Sequence, residues 1–188
     1  MDAGIYLAVN GLAGRAGWLD RLLALGATLL PAAMLVIIAA AWFWPGGPVE
    51  RGRRQRLAVY AGIAAVVALA IAEAIGHLWF RQRPFVTHHA HLLLAHAADA
   101  SFPSSHAAAC FALATPFALA RRRLGWLLLA CAILVAVARV ATGLHYPSDV
   151  VGGALLGMAI GAAVWRGRDW IERPIARGLA AAQRFRLA

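Results

Sequence analysis

Three short blocks of the sequence combine fixed positive charge, hydroxyl groups, histidines and a carboxylate. They are Arg81-Gln82-Arg83-Pro84-Phe85, then Phe102-Pro103-Ser104-Ser105-His106, and finally Arg139 with His145 and Asp149. Side chains of these types can hold a phosphoryl group, attack it and protonate the leaving oxygen without a metal ion. The blocks therefore indicate cleavage of a phosphate ester or anhydride.

The second block has the composition of a helix start. Pro103 is predicted in the first turn, with Ser101 as the cap. The free N–H groups at such a helix start attract an anion, and Ser104 adds a hydroxyl donor. Ser105 is small enough for the backbone to approach a ligand, and His106 follows it. Taken alone, the block also fits an ordinary serine-capped helix with an incidental histidine.

The third block pairs a histidine with a carboxylate four residues later. At the start of a helix, Asp149 can accept the N–H of His145 and fix its tautomer, which leaves the other ring nitrogen free to attack phosphorus. Arg139 ends the preceding apolar segment, where a buried arginine requires a counter-charge such as phosphate. The alternative is that Asp149 only caps the helix while Arg139 extends to the membrane interface.

The first block supplies further arginine. Arg83 precedes Pro84, which stiffens the chain and directs the side chain. A guanidinium group matches two phosphate oxygens, and Arg81 is close enough in sequence to assist. The alternative is a basic flank after an apolar segment.

Composition places these blocks in a membrane. Of the 188 residues, 62% are hydrophobic, and the mean hydropathy is +0.70, which is typical of an integral membrane protein. The formal charge is +10 and every basic residue is arginine. Because the arginines lie between apolar segments, they indicate membrane topology and not binding to nucleic acid. We expect one integral-membrane domain over residues 1–188.

The apolar segments predict an all-α, polytopic bundle. Residues 4–14 are too short to span a bilayer and are predicted to form an interfacial or half-inserted helix. Five spanning helices are predicted at Leu19–Trp44, Leu57–Phe80, Ser104–Ala120, Leu124–Ala141 and Val150–Trp165.

Arginine clusters predict the orientation. They occupy the 51–56 loop, the 121–123 turn and a basic tail at about 166–188. Alternating spans place all three on one side, which the positive-inside rule assigns to the cytoplasm. The three chemical blocks then lie together on the outer face, so we expect the phosphate to be attached to a lipid.

The three blocks together resemble the signature of the type 2 phosphatidic acid phosphatase and vanadium haloperoxidase superfamily. That signature is Lys-x6-Arg-Pro, then Pro-Ser-Gly-His, then Ser-Arg-x5-His-x3-Asp. The chain departs from it at three positions, because Gly76 stands in place of the lysine, Ser105 in place of the glycine and Ala138 in place of the first serine of the last motif.

The resemblance implies a role for each matching residue. His145 would be the nucleophile that forms a phosphohistidine, Asp149 would orient it and His106 would protonate the leaving oxygen. The phosphoryl oxygens would be held by Arg83, Arg139, Ser104 and the Ser105 backbone, with Arg81 or His77 covering for the lysine. It also implies that neither a metal ion nor another cofactor is required.

The layout narrows the resemblance to the bacitracin-resistance-type undecaprenyl diphosphatases. This narrower resemblance rests on the short chain, on the 10–14 segment followed by Asp20, and on the amino-acid sequences of the first two blocks, Arg-Pro-Phe and Ser-Phe-Pro-Ser-x-His. This resemblance implies that a polyprenyl diphosphate loses its terminal phosphate on the outer face of the bacterial cytoplasmic (inner) membrane, which recycles the lipid carrier for cell-wall synthesis. Phosphatidylglycerol phosphate or phosphatidate are alternative substrates, and a non-catalytic lipid-binding or transport protein is an alternative of another class.

Two groups of residues are left with open roles. Glu73 lies within a span at helical spacing from His77, so the two are expected to pair, with headgroup binding as the other possibility. His88, His89, His91 and His96 are expected to be polar loop residues, with metal binding as the alternative, although no carboxylate or cysteine completes the usual ligand set.

Overall fold

The computed structural model describes residues 1–172 and 175–176, which form helices joined by loops. In chain order the helices are α1 (Asp2–Asn10), α2 (Gly17–Phe43), α3 (Pro48–Leu78), α4 (Pro84–Thr87), α5 (Ser105–Leu119), α6 (Arg123–Ala141) and α7 (Pro147–Arg166). Within the described residues, α2, α3, α6 and α7 are long and apolar enough to cross a membrane, and α5 is a shorter apolar helix. The predicted all-α, polytopic bundle with a short N-terminal helix is confirmed.

The start of α3 differs most from the sequence prediction. Residues 51–56, expected in a loop, belong to the first turns of α3. The helix starts early because Gly47 caps it and Pro48 occupies the first helical position, while arginine itself is a good helix former. Of the predicted basic tail, Arg166 ends α7 and Arg168 follows it, whereas residues 173–174 and 177–188 lie outside the described residues.

Helix α5 is the centre of the bundle and packs against α3, α6 and α7. Its contact with α7 is close because glycine recurs every fourth residue along α7. A Cβ atom on Gly157 would lie 2.2 Å from the carbonyl oxygen of Ala108, and one on Gly153 would lie 2.4 Å from that of Ser104. This close packing brings the start of α5 beside the start of α7, where the Ser104 N–H donates to the carbonyl of Asp149 at 3.0 Å.

The alternating helices separate two ends of the bundle. The motif end comprises α1, the 79–104 loop and the 142–146 turn, and the arginine end comprises residues 44–56 and 120–123. At the motif end, Asn10 of α1 donates to the carbonyls of His91 and Ala141, both at 2.9 Å, and so ties α1 to both connections. Gly143, with a φ of +88°, allows the sharp turn that follows α6.

Candidate active site

His145 lies in the turn between α6 and α7 with only 2% of its surface exposed. Its Nδ1 atom is 2.9 Å from the carbonyl oxygen of Ser101. A carbonyl oxygen can only accept, so Nδ1 carries the hydrogen. The Nε2 atom lies 3.2 Å from Nη1 of Arg83 and 3.4 Å from Nη2 of Arg139. Since guanidinium groups can only donate, Nε2 carries no hydrogen, and its lone pair points at the two guanidinium groups.

These two arginines are buried beside the imidazole. Arg83 is 5% exposed and Arg139 is 3% exposed. Arg83 has a counter-ion, because its Nε donates to Asp99 at 2.6 Å. The Nε of Arg139 is buried and has no hydrogen-bond partner among the described residues. A buried, unpaired donor on a cation is costly without a ligand, so the site is suited to an anion. The alternative that Arg139 extends to the membrane interface is wrong.

Burial lowers the pKa of His145 to about 4, and the nearby charges of Arg139 and Arg83 lower it in the same direction. The nearby carboxylate of Asp149 acts against this shift. The imidazole is therefore neutral at pH 7, and its Nε2 lone pair is available for nucleophilic attack.

Asp149 is fully buried and lies beside His145, with its Oδ2 atom 3.7 Å from Nδ1. The same oxygen accepts the N–H of Tyr146 at 2.8 Å and the hydroxyl of Ser101 at 2.5 Å. Asp149 thus caps α7 and also neighbours the histidine, so the two roles considered from the sequence coexist. The sequence predicted that Asp149 would accept the N–H of the imidazole. In the structure the acceptor is the carbonyl of Ser101, which is closer to Nδ1 than the carboxylate is.

The second block forms the start of α5, although the cap is not the predicted one. Ser104 is the N-cap, and its hydroxyl oxygen accepts the N–H of Ala107 at 3.4 Å. Pro103 therefore precedes the helix, and Ser101 is instead committed to Asp149 and His145. Since the hydroxyl of Ser104 only accepts in this contact, its own hydrogen remains able to reach a ligand.

His106 lies in the first turn of α5 and is exposed. It is within electrostatic reach of Arg139, His145 and Arg83. The structure thus brings the histidines of the second and third blocks to one site, with Ser105 adjacent to His106 at the first position of the helix.

Arg81, which the sequence predicted to bind phosphate, is committed to protein partners. Its guanidinium donates to Ser148, Asp149 and Asp2, each at 2.6 Å, and lies over the ring of Tyr146 at 4.2 Å from the centroid. The structure places Arg81 behind Asp149 as its counter-ion.

Comparison with known proteins identifies the family. The family model described as PAP2 superfamily matches residues 57–173, which contain all three blocks. The chain belongs to the PAP2 superfamily.

A curated relative agrees with PAP2 membership, and two solved structures share the fold. The chain is 33% identical over 172 residues to undecaprenyl-diphosphatase BcrC of Bacillus subtilis (strain 168), covering 92% of this chain and 86% of BcrC. The crystal structure of LpxE from Aquifex aeolicus shares the fold, with a TM-score of 0.69 at 21% identity over 88% of this chain and 94% of that one. A PAP2-type phosphatidylglycerolphosphate phosphatase from Bacillus subtilis also shares the fold, with a TM-score of 0.61 at 21% identity over 88% of this chain and 85% of that one.

At Gly76, where the PAP2 signature has lysine, α3 packs closely on the loop before α5. A Cβ atom at Gly76 would lie 3.3 Å from the Cβ of Ala100 and 3.7 Å from the carbonyl oxygen of Phe102. Nearby, Nε2 of His77 lies 3.2 Å from a carboxylate oxygen of Glu73, which confirms the predicted pair, and both side chains are largely exposed. The pair borders a cavity of about 280 Å³ that Arg83 also lines.

The remaining histidines of the PAP2 domain lie in the 79–104 loop as expected. The backbone N–H of His91 donates to Asn10 at 2.9 Å, and Nδ1 of His96 lies 3.6 Å from Asp99. Among the residues that the structure describes, no group of three or more histidines, cysteines and acids is arranged to hold a metal ion.

Two residues of the site were missed by sequence reasoning about function. Ser101 was considered only as a helix cap, although its position two residues before Pro103 placed it next to the second block. Asp2 carries no motif at all, and only the packing of α1 against the start of α7 reveals it.

Proposed function

We propose that this PAP2 protein hydrolyses undecaprenyl diphosphate to undecaprenyl phosphate and inorganic phosphate, as one integral-membrane domain over residues 1–188. Family membership and the similarity to BcrC support a lipid phosphatase. The observation that carries the proposal is the convergence of Arg83 and Arg139 on Nε2 of the neutral His145, together with the unpaired Nε of Arg139. A terminal phosphate would satisfy both guanidinium groups and present its phosphorus to Nε2.

In the first step, Nε2 of His145 attacks the terminal phosphorus and forms an N–P bond. The bridging P–O bond breaks, and His106, which takes up a proton as the anionic diphosphate binds beside it, gives that proton to the departing oxygen of undecaprenyl phosphate. Arg83 and Arg139 turn from Nε2 to the phosphoryl oxygens, where Ser104 and the N–H of Ser105 also donate. These fixed donors stabilise the charge on the transferring group.

In the second step, water hydrolyses the phosphohistidine. His106, now neutral, takes a proton from the attacking water while the N–P bond breaks, so His145 recovers its lone pair and inorganic phosphate is released. Asp149, 3.7 Å from Nδ1, stabilises the positive charge that the ring carries while it is phosphorylated.

The positions of the arginines also bear on metal use and on membrane orientation. Two buried guanidinium groups supply the positive charge that a metal ion would otherwise provide, so we infer that the reaction requires no metal. The arginine end would lie in the cytoplasm by the positive-inside rule, which places the motif end on the outer face of the bacterial inner membrane. There the enzyme would return the lipid carrier to cell-wall synthesis.

The test is phosphate release by the purified protein from undecaprenyl diphosphate, phosphatidylglycerol phosphate and phosphatidate, each with and without a chelator. We expect the highest kcat/KM on undecaprenyl diphosphate, with no loss on chelation. In the same assay His145→Ala should release little phosphate, and His89→Asn is its matched control, because His89 is an exposed loop histidine of the same end.

Each arm can contradict one part of the proposal. A preference for a glycerolipid would overturn the substrate, and loss of activity with chelator that returns on adding metal would overturn the metal-free mechanism. Absence of phosphate release from every lipid, in a folded preparation, would favour a non-catalytic lipid-binding protein.

A further inference from the structure

A continuous chain of short polar contacts runs from α1 to the imidazole of His145. Asp2 accepts from Nη2 of Arg81 at 2.6 Å, and Nη1 of Arg81 donates to Oδ1 of Asp149 at 2.6 Å. The other oxygen of Asp149 accepts the hydroxyl of Ser101 at 2.5 Å, and the carbonyl of Ser101 accepts Nδ1–H of His145 at 2.9 Å.

Ser101 is the residue through which the two catalytic side chains are joined. It is completely buried. Its hydroxyl holds Asp149, its carbonyl holds His145, and its own N–H donates to the backbone carbonyl of Arg81 at 2.8 Å. All three polar groups of Ser101 are therefore engaged, and its position is fixed from three directions.

These contacts determine how Asp149 faces the imidazole. The Ser101 hydroxyl and the Tyr146 N–H, at 2.5 and 2.8 Å, occupy the Oδ2 oxygen that is 3.7 Å from Nδ1 of His145. Arg81 adds a positive charge to the other oxygen. The carboxylate is thereby held off the neutral ring and partly neutralised, while the Ser101 carbonyl fixes the Nδ1–H tautomer that attack through Nε2 requires.

Asp2 anchors this arrangement from α1. Besides Arg81, it accepts the N–H of Ser148 at 3.1 Å and the hydroxyl of Ser148 at 2.5 Å. Ser148 immediately precedes Asp149, so α1 holds both Arg81 and the first turn of α7.

We propose that Ser101 and Arg81 are positioning residues of the His145–Asp149 pair, and that Asp2 anchors Arg81 from α1. The proposal rests on the proposed function, in which His145 is the nucleophile. Ser101 and Asp2 lie outside the three blocks, Arg81 occupies a position that the signature leaves unspecified, and none of the three needs to touch the substrate.

The charged and titratable groups that face His145 come from four segments. They are Arg139 from α6, Asp149 from α7, Arg83 from the 79–104 loop and His106 from α5. The Ser101 hydroxyl and Arg81 act on the ring through Asp149, so changing either side chain alters the balance among these groups without removing one of them.

The first test is Ser101→Ala, which deletes the hydroxyl but keeps the carbonyl. We expect kcat to fall about 10- to 100-fold with KM within about twofold, because the reacting groups are misplaced while the phosphate ligands remain. Asp149 loses a donor and can turn towards Nδ1, so the pKa of His145 should rise towards its ordinary value. Ser101→Thr, which restores a hydroxyl, should recover part of both changes.

The pKa is measured by NMR titration of protein with isotopically labelled histidine, with His145 assigned by the signal that His145→Ala removes. Thr115→Val is the matched control, since Thr115 is also a buried hydroxyl but bonds the carbonyl of Phe111 within α5, away from this network. We expect Thr115→Val to leave both the pKa of His145 and kcat unchanged.

The other links are tested in the same way. Arg81→Gln should lower kcat and raise the pKa of His145 in the same direction, because Asp149 then carries an uncompensated charge. Asp2→Asn should have a smaller effect of the same sign. Its control is Asp20→Asn, because Asp20 accepts the Gly14 N–H at 2.9 Å and contacts none of these groups.

Two outcomes would overturn the proposal. The first is a wild-type kcat and His145 pKa in Ser101→Ala, and the second is a loss of kcat with an unchanged pKa, which would indicate a merely structural role. If Ser101→Ala does not fold, the proposal is tested by the kcat and the His145 pKa of Arg81→Gln. If the wild-type protein releases no phosphate from any lipid, the proposed function fails, whereas the NMR titration still decides the positioning role.

Discussion

The two ends of the bundle use arginine in opposite ways. At the motif end, Arg83 and Arg139 are buried and converge on one ring nitrogen, and Arg139 keeps an unpaired donor. At the arginine end, Arg121 and Arg123 are exposed and Arg122 pairs with Glu50. Arg51 at that end also has a buried Nε without a partner among the described residues, but no second guanidinium converges with it on a histidine.

The difference suggests a criterion for choosing among many arginines, in which burial and convergence on one atom, not abundance, mark those proposed to bind the substrate. An exposed guanidinium is solvated by water or lipid headgroups and costs little wherever it lies. A buried guanidinium with an unpaired donor raises the free energy of the empty site and lowers it again when an anion binds. On the proposed function, the arginine end orients the protein and the motif end binds phosphate.

The largest expected effect on activity is that of replacing His145 at the motif end. In His145→Ala we expect activity to fall at least about 10³-fold, because no other side chain supplies the nucleophile. Phosphate release under saturating lipid measures the loss. The control His89→Ala should retain wild-type activity, and an active His145→Ala protein would contradict the assignment.

Matched arginine substitutions compare the two ends directly. Arg139→Lys keeps the charge but removes the planar fork, and we expect kcat to fall about 10²-fold because a fixed donor to the transition state is lost. Arg123→Lys, the same change at the arginine end, should alter kcat by less than about twofold. Steady-state kinetics of both variants measure the contrast. Equal losses in the two variants would remove the distinction between the ends.

The low pKa of His145 gives a third expectation. With a pKa of about 4, roughly 90% of His145 would be neutral at pH 5, whereas an ordinary histidine would be only about 3% neutral at that pH. The NMR signal assigned to His145 should therefore not titrate between pH 5 and 8 in the unliganded protein. A midpoint near the ordinary value would show that burial and the two arginines do not act on the ring as described.

The smallest effect is expected at Gly76. Restoring the lysine of the PAP2 signature with Gly76→Lys should not raise activity, because its Cβ would already lie 3.3 Å from Ala100 and press on the loop before α5. We expect a loss of stability of about 1–3 kcal/mol from overpacking, measured by thermal unfolding. Gly76→Ala adds the same Cβ without the rest of the lysine side chain, so it separates the packing cost from the effect of the ammonium group. A gain in kcat/KM with Gly76→Lys would show that the lysine site is still functional.

Much of the site could be predicted from local sequence. The spacing of Arg139, His145 and Asp149 requires only one helix end, one turn and one helix start, so their proximity follows from the chain itself. The expected pair of Glu73 and His77 was also correct, because helical spacing alone brings them together.

Long-range packing accounts for what could not be predicted. Arg81 is two residues from Arg83, yet it faces Asp2 and Asp149 because α1 folds back over the start of α7. Ser101 is of a residue type that often caps helices, but in the structure Ser104 is the N-cap of α5. Such contacts join residues far apart in sequence, and no local spacing encodes them.

The most direct test of the central claim is to trap the phosphoenzyme. Protein mixed with substrate labelled in the terminal phosphate and quenched in base should carry label that is stable in base, labile in acid and located on the peptide containing His145. His145→Ala should carry none. Turnover by the wild-type protein with no label at His145, or with label on another residue, would contradict the account.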